Sequence, residues 1–331
     1  MLKSEAVSHE ILGEEYTDNA EKLRTILDKY NGTVFEGFTG DEVLSGLDPT
    51  RGTECCAIVE HMYSYEEIFA HTGENKWAER LEVLGFNALP ATLSEDMWTH
   101  QYIQQVNQIA CQKTMIMAPW STNGPYAHTF GLEPNFGCCT ANFNQGWPKF
   151  ALSPFMYKDN TIINSVMLPS VLSDNGVKIR LETNYPFENK VQYYIDANRD
   201  FNFVIRIPSF AQNVKVTGKD FDSASSSFSF KAGEKAEICV EFEATAFMES
   251  RPYGLNTIKC GSLVFSLPIE YEKKMYEYER NGVERKFPYC DYELVPTGAW
   301  NYAYSDTTLT VERHEVGEIP FSSEHPAVTV R

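Results

Sequence analysis

Positive charge is scarce in this sequence: 28 lysines and arginines stand against 46 aspartates and glutamates, for a formal net charge of -18. Nucleic acids and anionic membranes are bound through basic faces, so neither is expected as a partner. Long apolar runs are missing too. No stretch approaches the roughly 18 apolar residues of a membrane span, and the opening MLKSEAVSHEILGEEYTDNAEKL has no apolar core of signal-peptide length. The expectation is a soluble chain, with the cytoplasm favoured and a leader upstream of Met1 left open. Cysteine is sparse as well, since eight in 331 residues cannot build a disulfide scaffold. No internal repeat is visible, and the length allows two or three domains.

Aromatic residues are plentiful: 18 Tyr, 21 Phe and 5 Trp. Together with the acidic surface they would suit a neutral polyol such as a sugar, although core packing accounts for most of them. The cysteines are unevenly placed. Cys111, Cys239, Cys260 and Cys290 are scattered, but the other four stand as neighbours in TECCA (53–57) and GCCTAN (137–142). A disulfide between adjacent residues needs a strained backbone, so the doublets call for another explanation.

Residues 18–150 read as helices joined by long ordered loops. DNAEKLRTILDKYNG places Leu23, Ile26 and Leu27 on one face before Gly32, and CCAIVEHMYSYEEIFAHTG repeats Ile58, Met62, Tyr65 and Phe69 before Gly73. ENKWAERLEVLGFNAL follows with the stripe Trp77, Leu81, Leu84. The first doublet therefore opens a helix, whose N-terminus is expected to lower thiol pKa values. After about residue 155 the period changes to 2. Val177, Ile179 and Leu181 alternate, as do Phe201, Phe203, Ile205 and Ile207, and then Ile238, Val240 and Phe242. These runs, separated by turn residues, predict an antiparallel sandwich. SSSFSFKAGEK reads as a hairpin-like connection, and from Thr257 a further β set begins. The predicted division is 1–155, 156–255 and 256–331, with a protease-sensitive junction near SPFMYKDN.

Glu54, Cys56, Cys138 and Cys139 offer a carboxylate and thiolates, a donor set suited to zinc; on spacing alone, without a CxxC pair, inert core thiols are the commoner reading. His100, Gln101, Tyr102, Gln105 and Asn107 in HQYIQQVN follow Trp98. They are candidates for hydroxyl recognition over an aromatic platform, or else the outward residues of an extended segment. His128 in PYAHTF reads as a loop histidine rather than a ligand.

The runs GDEVLSGLDPTRGTECCAIVEHMYSYE, DMWTHQYIQQVNQIAC and GCCTANFNQGWPKFA, followed by GSLVFSLPIEY, resemble glycoside hydrolase family 127, the β-L-arabinofuranosidase family. The resemblance implies a multidomain α and β chain, an (α/α)6 toroid followed by antiparallel β-sandwich domains. It also implies a zinc ion on one Glu and three Cys, with a zinc-bound cysteine as nucleophile of a retaining glycosidase. Carried over, the metal ligands are Glu54, Cys56, Cys138 and Cys139, and Cys138 is the nucleophile. Cys55 is structural. The family's proton donor, a glutamate shortly before the zinc-binding one, falls on Glu42, with Asp41 and Glu36 as alternatives. His100, Gln101 and Tyr102 are the substrate-binding candidates, and the partner is a carbohydrate carrying L-arabinofuranosides or related pentose linkages. Residues 1–155 can supply only part of a toroid. The chain thus reads as the C-terminal part of such an enzyme, or as a non-catalytic carbohydrate-binding or structural remnant of one.

Overall fold

The computed structural model describes residues 2–114, 124–132, 136–322 and 324–331. Helix α1 (Ser4–Leu12), which periodicity did not flag, leads into α2 (Asn19–Asn31). On α2, Leu23 and Leu27 pack on the core as expected, but Ile26 is exposed and Arg24 takes the buried face. Arg24 tolerates burial because its guanidinium pairs with Glu36 at 2.6 Å and donates to the Tyr65 hydroxyl at 3.1 Å.

Strand β1 (Gly52–Glu54) runs directly into α3 (Cys55–Thr72). The stripe Ile58, Met62, Tyr65 and Phe69 is buried as predicted, and Gly73, at φ 69°, closes the helix with its N–H on Phe69 O. The third expected helix bends: α4 (Asn75–Val83) passes through a π-turn over Leu84–Ala88 into α5 (Leu89–Ala91). Two contacts hold that bend. Asn87 Nδ2 donates to Val83 O at 2.7 Å and to Ser262 O at 2.8 Å, and Gly85 leaves room for the Phe150 ring, which a Cβ would meet at 2.9 Å.

Strand β2 (Ile103–Gln105) pairs antiparallel with β1, setting Ile103 opposite Glu54. Helix α6 (Gly137–Leu152) then packs on α3. The second doublet therefore also opens a helix. Among the described residues no helix is long and apolar enough to cross a membrane.

From Phe155 the chain is built of strands: β3 (Phe155–Lys158), β4 (Thr161–Asn164), β5 (Ser170–Asp174), β6 (Val177–Thr183), β7 (Lys190–Ala197), β8 (Phe201–Ile205), β9 (Gln212–Thr217), β10 (Ser227–Phe230) and β11 (Lys235–Glu243). They form a four-stranded sheet, order β10-β8-β4-β3, and a five-stranded sheet, order β5-β6-β7-β11-β9. All pairs are antiparallel except β4 with β8. The apolar sides face each other in one core, where Tyr193 meets Phe203 edge-on with centroids 5.3 Å apart. The serine-rich run is not a hairpin connection. Its strand β10 pairs with β8, and the chain crosses to the other sheet to become β11, because Phe228 and Phe230 bury on the four-stranded side.

Beyond lie β12 (Ala246–Ser250), β13 (Asn256–Cys260) and β14 (Leu263–Phe265) as a three-stranded sheet. The ribbons that follow are β15 (Tyr271–Tyr276) with β18 (Asp291–Pro296), β16 (Tyr278–Arg280) with β17 (Val283–Arg285), and β19 (Val311–Arg313) with β20 (Val328–Val330). Isolated bridges join His100 to Gly131, Phe130 to Tyr292 and Cys111 to Leu294, which ties the loops around the doublets to β18.

Candidate metal centre

Two helix N-termini converge on the doublets. Glu54 ends β1 and stands at the N-cap of α3, while Cys138 is the second residue of α6. Because α3 and α6 pack together, one donor atom from each of Glu54, Cys56, Cys138 and Cys139 lies within 4.8 Å of the others. Cys56 Sγ meets Cys139 Sγ at 3.5 Å, Cys138 Sγ meets Cys139 Sγ at 4.0 Å, and Glu54 Oε1 lies 3.8 Å and 3.9 Å from the Cys138 and Cys139 sulfurs. Tetrahedral zinc with Zn–S bonds of about 2.3 Å sets its sulfurs about 3.8 Å apart, so the donor set fits that ion in type and spacing. Depth is graded: Cys139 is buried, Cys56 half-buried and Cys138 exposed.

Burial raises the Glu54 carboxyl above its ordinary range, and the charges of Glu42 and Asp41 add to the rise. Contact with Cys139, followed by burial, pushes the Cys56 thiol far up, and contact with Cys55 and burial do the same to Cys139. Burial and the Cys56 sulfur raise Cys138 as well. The N-terminus of α3 was expected to lower the thiols of the first doublet; Cys56 is instead raised, by contact with Cys139 and by burial. A cation among the donors reverses that balance, since a coordinating thiol is deprotonated outright.

The carboxylates proposed from sequence separate by environment. Glu42 is exposed, and its charge is felt at Glu54 together with that of Asp41. The Glu36 carboxylate is engaged elsewhere, pairing with Arg24 at 2.6 Å and Lys259 at 3.5 Å, and Tyr65 donates to its backbone carbonyl.

His100, Gln101 and Tyr102 are all buried rather than outward-facing. His100 Nε2 lies 2.9 Å from Thr140 Oγ1, beside the second doublet, and Gln101 Nε2 donates to Ala91 O at 3.1 Å. Tyr102 stacks on Phe136 with centroids 3.9 Å apart. Its phenol is pushed up by burial and by the charges of Glu54 and Asp41, which sets it at the edge of the cluster. Gln105 donates to Thr50 O, Asn107 is exposed, and His128 is buried with Nδ1 3.4 Å from Gln108 Nε2. Sequence reasoning overlooked Asn142, whose side chain acts on the Cys56 thiol against the larger upward push of Cys139 and burial. Its position four residues after Cys138, on one face of α6, was the available signal.

The pattern described as the GH127 catalytic domain of beta-L-arabinofuranosidase matches residues 28–152, and the GH127 middle domain matches residues 163–232. The chain belongs to glycoside hydrolase family 127. Among solved structures it is similar to Ara127N-Se, a GH127 beta-L-arabinofuranosidase from Geobacillus stearothermophilus T6, at 13% identity and TM-score 0.64, covering 90% of this chain and 57% of that one. It is also similar to the GH127 beta-arabinofuranosidase BT3674, at 16% identity and TM-score 0.58, with 89% and 56% covered, and to a glycoside hydrolase at 13% and 0.59, with 89% and 62% covered. The chain thus spans little more than half the length of these relatives. No curated protein matches it.

Proposed function

We propose that this chain carries the thiol site of a retaining glycoside hydrolase acting on L-arabinofuranosides or related pentose linkages. The observation that supports it best is the convergence of Glu54, Cys56, Cys138 and Cys139 within 4.8 Å at two helix N-termini. Glu54, Cys56, Cys138 and Cys139 would hold zinc, which supplies the positive charge that keeps their thiols deprotonated. Cys138 is the exposed member, so its sulfur attacks the anomeric carbon: a C–S bond forms as the bond to the leaving oxygen breaks. Glu42 gives that oxygen a proton, and Asp41 is the alternative donor. The Glu42 carboxylate then takes a proton from the water that displaces sulfur and restores the starting configuration. Tyr102 and His100 hold the wall of the site, Tyr102 by stacking on Phe136 and His100 through Thr140.

In this reading residues 1–155 are part of an (α/α)6 toroid, 156–255 a sandwich domain and 256–331 a further β segment. A second reading is a carbohydrate-binding or structural remnant without turnover, in which the same Glu54, Cys56, Cys138 and Cys139 cluster would serve the fold alone. Metal analysis combined with turnover of an aryl β-L-arabinofuranoside separates the two. About one zinc per chain with hydrolysis lost in Cys138→Ala supports the enzyme. Zinc without hydrolysis supports the remnant, and a purified chain without metal overturns both accounts of the cluster.

A further inference from the structure

Beside the thiol cluster the chain makes a short projecting loop, residues 40–46, whose two ends are fixed and whose middle stands in solvent. The first end is bonded to the backbone of the cluster itself: Gly40 N–H donates to Gly52 O at 2.8 Å, and Glu54 N–H donates to Gly40 O at 3.0 Å. The second end is held by α2 and the segment after it, since Gly46 N–H donates to Asn31 Oδ1 at 2.9 Å and Thr39 Oγ1 donates to Gly46 O at 2.5 Å. Between these anchors the loop is bonded within itself. Asp41 N–H donates to Val43 O at 3.3 Å, Val43 N–H to Asp41 Oδ1 at 3.2 Å and Ser45 Oγ to Val43 O at 3.3 Å, while Gly40 and Leu44 form a bridge. Such a unit can swing as one piece about its ends. Gly40, at φ 146°, and Gly46, at φ 89°, stand where side chains rarely go, and glycine passes between that region and the ordinary ones without a steric penalty. A cavity of about 50 Å³ lies at the base, with Thr39 and Leu47, one from each side of the loop, in its wall, so the residues flanking both glycines are not packed solid.

The tip of the loop is apolar: Val43 is 62% and Leu44 58% exposed, next to the exposed Glu42. Covering them is favourable, and the thiol site is within their reach. Val43 lies at most about 10 Å of chain from Gly40. Gly40 in turn is bonded to the Glu54 backbone, and Glu54 Oε1 lies 3.8 Å from the Cys138 sulfur. The tip therefore spans about the distance from its anchor, along the Glu54 side chain, to the exposed thiol. The charges of Glu42 and Asp41 are felt at Glu54 and at Tyr102. These carboxylates repel one another, which keeps the loop standing off, whereas a neutral polyol lying between them offers hydroxyls to each and draws the loop down.

We propose that residues 40–46 are a strap that closes over the thiol site on a bound sugar, with Gly40 and Gly46 as hinges, Val43 and Leu44 sealing the site from water, and Glu42 carried to the leaving oxygen. The sugar and the part of Glu42 rest on the hydrolase reading; the hinged strap rests on the geometry of the loop. Hydrogen exchange of the full chain with and without L-arabinose, whose binding is followed by calorimetry, tests it. Bound L-arabinose should slow amide exchange across residues 41–45 about tenfold. The double variant Val43→Ser with Leu44→Ser should lose that slowing, with its metal content and melting temperature unchanged because both positions are exposed. Turnover separates a strap from an inert loop. The double variant should lose about tenfold on an L-arabinofuranosyl disaccharide and less on an aryl β-L-arabinofuranoside with a good leaving group, which needs less protonation by Glu42. L-arabinose bound with unchanged exchange at 41–45, or slowing that persists in the double variant, overturns the strap and leaves the hydrolase reading standing. Slowed exchange in a chain without metal or turnover removes the hydrolase reading and leaves the strap. No binding of L-arabinose by the parent chain overturns both.

Discussion

The Cys139 sulfur meets Cys56 at 3.5 Å and Cys138 at 4.0 Å while its side chain is wholly buried. If the cluster holds the proposed zinc, Cys139→Ser should lose the metal and cost about 1–3 kcal/mol, since a hydroxyl there is a poor zinc ligand and is left short of partners. Elemental analysis and chemical denaturation read the two effects separately. Cys55, read as structural, is fully buried with Tyr102 and Ile103, and its thiol touches Cys139. Cys55→Ala should keep the metal yet lower stability by about 1 kcal/mol through the small cavity it leaves. Glu66 on α3 offers a test by pH. Burial pushes its carboxyl up to about 7, and Oε1 is buried without a partner. A carboxyl raised in the folded state contributes most below its unfolded value, near 4.5, and that contribution is lost as pH rises toward 7. Glu66→Gln should flatten this slope and stabilise the chain at pH 8 by about 1–3 kcal/mol. Thermal melts between pH 4 and 8 that keep the parent slope in the variant would assign it to other groups.

Among elements, the β1–β2 pair decides where Glu54 stands, and Gly52 decides how closely the two strands approach. A Cβ on Gly52 would meet Ile103 Cγ2 at 2.0 Å and Gln104 O at 2.6 Å, so the backbone itself would have to move. Gly52→Ala should cost about 1–3 kcal/mol and reduce metal retention, because Glu54 lies two residues on in the same strand; full metal content by elemental analysis would show β1 to be more pliant than its packing implies. The elements best read from sequence were those whose period matches one buried face, such as Val177, Ile179 and Leu181 on β6 or the stripe of α3. Helix α6 was harder to read because Gly146 and Pro148 interrupt it, and the glycine serves packing, with Leu89 at 3.0 Å from where its Cβ would be. The ligand candidates were legible because they stand as neighbours in short motifs. Arg24 on the buried face of α2, the placing of Asn142 beside Cys56 and the Tyr102–Phe136 stack depend on partners distant in sequence or on geometry that no periodicity records.

For the whole molecule, one buried carboxylate links parts that sequence reading treats as separate. Glu82 of α4 pairs with Arg206, just past β8, and both are buried. Tyr185, between β6 and β7, donates to Glu82 at 2.8 Å, Met167 N–H at 3.2 Å, and Ser262, between β13 and β14, at 3.3 Å. The junction near residue 155 is likewise tied in: Pro154 O accepts from Ser165 N at 2.9 Å and Asn164 Nδ2 at 2.8 Å. The change from helix to strand there is not a loose linker, so proteases should not cut at SPFMYKDN first. With helices and three sheets meeting on Glu82, the chain should unfold in one calorimetric transition whose van't Hoff and calorimetric enthalpies agree. Glu82→Ala leaves the Arg206 charge buried and unpaired, which should cost about 3–5 kcal/mol. Exchanging both partners for apolar residues, Glu82→Leu with Arg206→Met, should restore much of that loss, because the penalty comes from the orphaned charge rather than from the missing pair. Two resolved transitions in the parent chain, or a double variant as unstable as Glu82→Ala, would show that the knot does not couple the helical part to the sheets.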